Sequence, residues 1–186
     1  MKVLKIILCA LLTLLVVTAL FINISPQFGS NPSIAQRQFF SSFKNFENGE
    51  FKNNEPTALF TDEMSFWDFY KTELNRVPIK EIIPLSVDVE SFVKDNIEQV
   101  KMVWLGHSAF LININGSVIL LDPMLGSHAA PVPLPSLKRY SSKIAFDIDE
   151  LEVIDCVVFS HDHYDHLDYP TIKKIKSRVK NFIVPH

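Results

Sequence analysis

The chain has 186 residues, 47% of them hydrophobic and 21% charged, a balance that excludes a disordered polyelectrolyte. Eighteen basic against 21 acidic residues leave a formal charge of −3, which argues against a nucleic-acid footprint. Two cysteines, Cys9 and Cys156, are too few for a disulfide framework, and Cys9 sits inside an apolar N-terminal run.

That run, Ile6 to Ile24, carries no charge and as a helix would measure about 28 Å at roughly 1.5 Å per residue, close to a hydrocarbon core of about 30 Å. Lys2 and Lys5 precede it and no basic residue follows until Arg37, so the positive-inside rule puts the N-terminus in the cytoplasm and the rest across the membrane. The run ends in the bulky Leu20-Phe21-Ile22-Asn23-Ile24, where a signal peptidase needs small residues. This favours a retained anchor over a cleaved signal.

Residues 25–33 are rich in Pro, Gly, Ser and Asn and predict a linker. Residues 34–60 carry Phe39, Phe40, Phe43, Phe46, Phe51 and Phe60, the pattern of an irregular arm that pins aromatic side chains onto a domain. A short amphipathic helix is predicted over 62–75, with Met64, Trp67, Tyr70 and Leu74 near one stripe. Strand signals begin near residue 100: Val100–Leu105, Ala109–Ile114, an Asn115-Gly116 hairpin turn, and Ser117–Leu121. Pro131, Pro133 and Pro135 predict a loop in which His128 is solvent-exposed, and a helical turn is expected near Ile148. An apolar strand follows over 155–159, with Cys156 as a core residue. A helix over 169–179 starts with Pro170 in its first turn, and another strand starts at Phe182.

Beyond the apolar strand stands Ser160-His161-Asp162-His163-Tyr164-Asp165-His166-Leu167-Asp168, with three of the chain's six histidines inside six residues. Open α/β sheets place their sites at such carboxyl ends of strands. In an extended loop His161 and His163 project to the same side, and Asp165 and His166 face a second point where the chain turns toward a helix. Imidazole nitrogen and carboxylate oxygen without thiolate suit zinc, and to a lesser extent iron or manganese.

These residues carry a resemblance. His161-x-His163-x-Asp165-His166 resembles the signature of the metallo-β-lactamase superfamily. Trp104-Leu105-Gly106-His107-Ser108, Leu121-Asp122-Pro123, Lys138-Arg139-Tyr140 and His163 to Tyr169 are similar to the branch containing N-acyl-phosphatidylethanolamine phospholipase D. The resemblance implies an α/β (α+β) fold, the αββα sandwich of that superfamily, of which this sequence looks like the N-terminal half. It implies one Zn2+ on His161 and His163, a second on Asp165 and His166, and a place in catalysis for Asp165 and His166. Asp122 is expected to orient a ligand histidine. His107 either lies beside the site or orients its turn, and Asp168 either supports a ligand or caps the following helix. The family's further ligands lie later in its chains; His186 is a weak candidate here.

The organisation expected is an anchor or signal over 1–24, a linker and Phe-rich arm over 25–98, and the domain's front half over 99–186. The function implied for a full-length protein is a membrane-anchored dinuclear zinc phosphodiesterase of phospholipase D type acting on an N-acyl-phosphatidylethanolamine-like membrane lipid, with no nucleic acid and no readable protein partner; four ligands from one motif do not complete two metal sites, so 186 residues by themselves are not expected to be a competent enzyme. A lactonase- or β-lactamase-like hydrolase of the same fold, or a truncated non-catalytic membrane protein, are the alternatives. A half sandwich would leave apolar strands uncovered. Topology is directly measurable: a reporter active only outside the cytoplasm, fused after Ser30, is expected to work, and a working cytoplasm-only reporter at that point would overturn the orientation.

Overall fold

Residues Lys2–Ile24 form one continuous helix, α1, with no buried residue. The structure is a computed structural model and describes residues 2–55, 78–94 and 100–185; the helix expected over 62–75, Phe60 and His186 lie outside them. At 23 residues α1 is long and apolar enough to cross a membrane.

The aromatic arm is more regular than its composition suggests. Helix α2 (Ile34–Phe40) starts at a capping box in which the Ser33 hydroxyl accepts the Gln36 amide and the Gln36 side chain accepts the Ser33 amide. Strands β1 (Phe46–Glu47) and β2 (Glu50–Phe51) pair through Asn48-Gly49, both at positive φ. That turn sets Phe46 opposite Phe51 with ring centroids 4.8 Å apart. Phe51 lies 5.3 Å from Phe40, and Phe39 5.2 Å from Phe43, so the rings of this expected irregular arm pack on one another.

The main sheet has five strands in the order β3-β4-β5-β6-β7: β3 (Val100–Gly106), β4 (Ala109–Ile114), β5 (Ser117–Leu121), β6 (Ile154–Val158) and β7 (Val179–Ile183). The first three are antiparallel; β5, β6 and β7 run parallel. The β4–β5 turn is Asn115-Gly116, both at positive φ, as a type I′ hairpin requires. Ala109, Leu111, Val118 and Leu120 alternate inward along β4 and β5, and Ile154 and Val157 of β6 are fully buried. They form the core with α3 (Val89–Lys94), through Val89 and Phe92, and with α4 (Tyr169–Ile175), through Ile175.

Helix α3 escaped the sequence reading because its six residues carry too little periodicity. Asp88 starts it by accepting the Ser91 amide, and the buried Asn113 on β4 ends it, donating to the Phe92 and Val93 carbonyls. Those carbonyls have no partner within the helix, which accounts for an amide at an inward strand position.

Arg178 sets the boundaries at the C-terminal end. Its guanidinium donates to the Ile148 and Leu151 carbonyls at 3.0 and 2.8 Å. The chain therefore leaves α4 at Ile175 and begins β7 at Val179, earlier than 179 and 182 as expected; β6 likewise begins one residue early, at Ile154. His128 is also a correction. It is half-buried, its backbone bridges to Lys138 and its Nδ1 lies 2.9 Å from the Ser127 hydroxyl, because backbone hydrogen bonds at Ala129–Leu137 and Arg139–Ser127 close the proline loop on itself.

Asp155 cross-links three strands: one carboxylate oxygen accepts the Val118 amide of β5 at 2.8 Å, the other pairs with Lys180 of β7 at 2.6 Å. The Lys180 hydrogen bond and the Val118 amide hold its carboxyl below the usual range against the opposing effect of burial. A depressed carboxyl contributes stability above its unfolded value, about 3.9, and that contribution is lost as pH falls through the folded value. Asp155→Asn is expected to cost about 1 kcal/mol at pH 7. In denaturant titrations the gap to the wild type should close below about pH 4.

Candidate metal centre

Parallel pairing of β5 with β6 aligns Leu121 with Val158, so both strands end at the same edge of the sheet. There the chain turns at Asp122, which is 3% exposed and holds φ at 43°, a conformation that non-glycine residues adopt at some cost. The turn aims its carboxylate at the loop after β6. One oxygen accepts the Ser160 amide at 2.7 Å; the other accepts the Ser160 hydroxyl at 2.7 Å and lies 2.9 Å from Nδ1 of His166. Burial pushes the Asp122 carboxyl up, but the hydrogen bonds from Ser160 and His166 outweigh it and hold the group below its ordinary value. An ionised carboxylate only accepts, so Nδ1 of His166 carries the hydrogen and its Nε2 lone pair faces outward.

Around that nitrogen the motif closes up. The His161 ring lies 4.0 Å from the His166 ring and 4.6 Å from His163, centroid to centroid. Nδ1 of His161 is 2.9 Å from the Ser160 hydroxyl, which leaves its Nε2 for other partners. Asp165 Oδ2 lies 3.7 Å from Nε2 of His166 and 2.9 Å from Nε2 of His107. The structure therefore brings His107, Asp122, His161, His163, Asp165 and His166 into one cluster at the strand ends. These donors, imidazole nitrogen and carboxylate oxygen, fit a borderline divalent ion, and Asp122 already fixes one imidazole in the tautomer a ligand needs. Cys156 lies on β6, half-buried, and offers no thiolate to the cluster.

Asp168 points elsewhere. It occupies the position before α4 but accepts from the Gly126 amide at 2.9 Å and from the Thr171 hydroxyl at 2.5 Å, with no hydrogen bond to a motif histidine among the described residues. It is 1% exposed, and a Cβ on Gly126 would come within 2.9 Å of its carboxylate. Burial, and after it the Asp168 charge, push the Tyr164 hydroxyl up. Asp168 thus fastens the loop after β5 to the base of α4.

Two further residues stand in strings already quoted, but the sequence assigns neither a role. Ser160 links Asp122 to two histidines through one hydroxyl, and its only sequence signal is its place between the strand and the first histidine. Arg139 donates to the carbonyls of Leu105, Met124 and Gly126, tying the β3–β4 turn to the loop after β5. Carbonyl acceptors carry no side-chain signature, so no motif could have exposed this role.

Residues 101–183 match the family model described as a beta-lactamase superfamily domain. An uncharacterised protein of Mycobacterium tuberculosis (strain ATCC 25618 / H37Rv) is 27% identical over 144 residues, 76% of this chain and 38% of that protein. The N-acyl-phosphatidylethanolamine-hydrolyzing phospholipase D 1 of Caenorhabditis elegans is 29% identical over 99 residues, 52% of this chain and 28% of the enzyme. A UPF0173 metal-dependent hydrolase of Hyperthermus butylicus (strain DSM 5456 / JCM 9403 / PLM1-5) is 38% identical over 64 residues, 34% of this chain and 22% of that protein. The chain thus spans well under half the length of these relatives.

Asp122→Asn keeps the volume but replaces one of two acceptor oxygens by an NH2 donor, which must face either the Ser160 amide or Nδ1 of His166. Zinc affinity, measured by competition with a chromophoric chelator, is expected to fall about 10–100-fold, and unchanged affinity would remove Asp122 from the centre.

Proposed function

From the beta-lactamase superfamily match of residues 101–183, we propose that this metal-dependent hydrolase is a membrane-anchored phosphodiesterase of phospholipase D type acting on N-acyl-phosphatidylethanolamine-like lipids. The observation that carries the reading is a largely apolar cavity of about 860 Å³ that reaches His107 and Asp165. Met102, Trp104, Leu137 and Ile144 are among its apolar walls, and Lys138, Arg139 and Lys143 also border it. Cavities of this size accept drug- to lipid-sized apolar groups. An acyl chain joined to a phosphate needs both an apolar wall and cationic neighbours, and both border the metal-ligating cluster. Helix α1 would hold the site at the surface where such lipids lie, with the domain on the periplasmic or exterior side.

His161, His163, Asp165 and His166 would hold two divalent ions, zinc by donor type with iron or manganese compatible. When bound, the ions supply positive charge toward a phosphoryl oxygen and acidify a water. The chain's own residues do the rest. Asp122 and Ser160 keep the Nε2 face of His166 turned outward, Lys138 and Lys143 attract the phosphate, and the apolar walls exclude water from the acyl chain. Hydrolysis adds one water across the phosphorus–oxygen bond on the ethanolamine side and releases phosphatidic acid and an N-acylethanolamine. A lactonase-like activity on the same centre is the second reading, supported by the likeness to a protein named only as a metal-dependent hydrolase.

In detergent micelles containing N-acyl-phosphatidylethanolamine and zinc, the protein is expected to form phosphatidic acid. Leu137→Asp should raise KM for this lipid about tenfold, a change of about 1.4 kcal/mol, and leave a short soluble phosphodiester unaffected. Lactone hydrolysis without phosphatidic acid would select the second reading.

A further inference from the structure

The family resemblance gives the ion on Asp165 and His166 its remaining ligands from later in the chain. Nearer by stands a donor that the resemblance does not assign to it. The Nε2 of His107, one carboxylate oxygen of Asp165 and a ring nitrogen of His166 all lie within 4.8 Å of one another. Tetrahedral zinc with bonds of about 2.0–2.1 Å places its ligand atoms about 3.3–3.4 Å apart. The two separations that involve Asp165, 2.9 Å to His107 and 3.7 Å to His166, fall on either side of that value. The third separation, His107 to His166, is at most 4.8 Å, so movements of about 1 Å would let the three atoms surround an ion.

The backbone holds His107 in an unusual way. Gly106 and His107 both take positive φ, 99° and 48°, at a bulge where the β3–β4 register shifts between Trp104 and Gly106. The His107 carbonyl accepts the Trp104 indole N–H at 2.8 Å, and the Leu105 carbonyl accepts from Arg139. A β-branched or bulky residue would rarely sit in this conformation, and bulges next to active sites re-aim side chains. Here the re-aimed side chain is an imidazole, its ring 5.1 Å from that of His166.

We propose that His107 is a third protein ligand, through Nε2, of the ion held by Asp165 and His166, so that residues 106 to 166 of this chain contain one three-donor site of their own. The proposal rests on the metal-centre reading but not on the lipid substrate, so failure of lipid hydrolysis leaves it standing.

The test uses the full chain in detergent, with His161→Ala and His163→Ala removing the neighbouring site and zinc alone as the probe. One zinc per chain is expected, with two imidazoles in its X-ray absorption fine structure. Adding His107→Asn, which tolerates the positive φ, should leave one imidazole and weaken zinc binding at least about tenfold, and His107→Gly serves as a second variant compatible with that backbone. Circular dichroism checks that both variants keep the sheet. One imidazole before and after the substitution would make His107 only a hydrogen-bond partner of Asp165 and overturn the proposal. So would a chain that binds no zinc in the first background while retaining its fold.

Discussion

The site depends on one buried carboxylate that accepts three hydrogen bonds across a strand junction. Asp122 ends β5, and Ser160 and His166 belong to the loop that follows β6. A carboxylate removed from water is costly unless its lone pairs are met, and here the amide, the hydroxyl and the imidazole meet them together. The same bonds that satisfy the buried charge therefore fix the ring orientation of His166 and the path of the histidine loop. Neither could be relaxed without exposing the other.

Around this junction the loops are held by backbone carbonyls and amides more than by side-chain packing. Arg139 gathers three carbonyls and Asp168 holds the Gly126 amide, so the proline loop between β5 and β6 is fastened at both its ends. The cavity wall and the donor cluster thus share supports. Leu105 and Gly126, whose carbonyls Arg139 binds, flank the turn carrying His107 and the loop beside Asp168. A change in the wall would be felt at the cluster through hydrogen bonds of known partners, without any need for motion of the sheet.

Much of this was legible in advance, for identifiable reasons. The β4–β5 hairpin is written in Asn115-Gly116 and the flanking alternation, both local signals, and its strands have the expected limits. The motif from His161 to His166 is compact enough to be seen without a structure, and Asp122, expected to orient a ligand histidine, lies 2.9 Å from Nδ1 of His166. What stayed hidden was non-local. Helix α3 is short and stopped by Asn113 from another element; Arg178 shortens α4 through carbonyls about thirty residues away. The sequence leaves His107 two roles because only tertiary structure puts a β3–β4 turn next to a loop nearly sixty residues later.

The change from antiparallel to parallel pairing at β5 orders events in time. Strands β3, β4 and β5 are joined by tight turns, and such hairpins close in about 1–10 μs. The β5–β6 pairing spans 37 residues and the bonds of Asp122 to Ser160 and His166 span 38 and 44, and the loop entropy of such contacts must be met before they return any stability. The donor cluster therefore assembles after the hairpins that frame it. A nascent chain can expose a formed β-meander while the histidines are still unpaired and solvated, and an ion captured at that stage would bind a flexible peptide instead of a shaped site. The parallel pairing of β5 with β6 is thus the contact on which the geometry of the donor cluster waits.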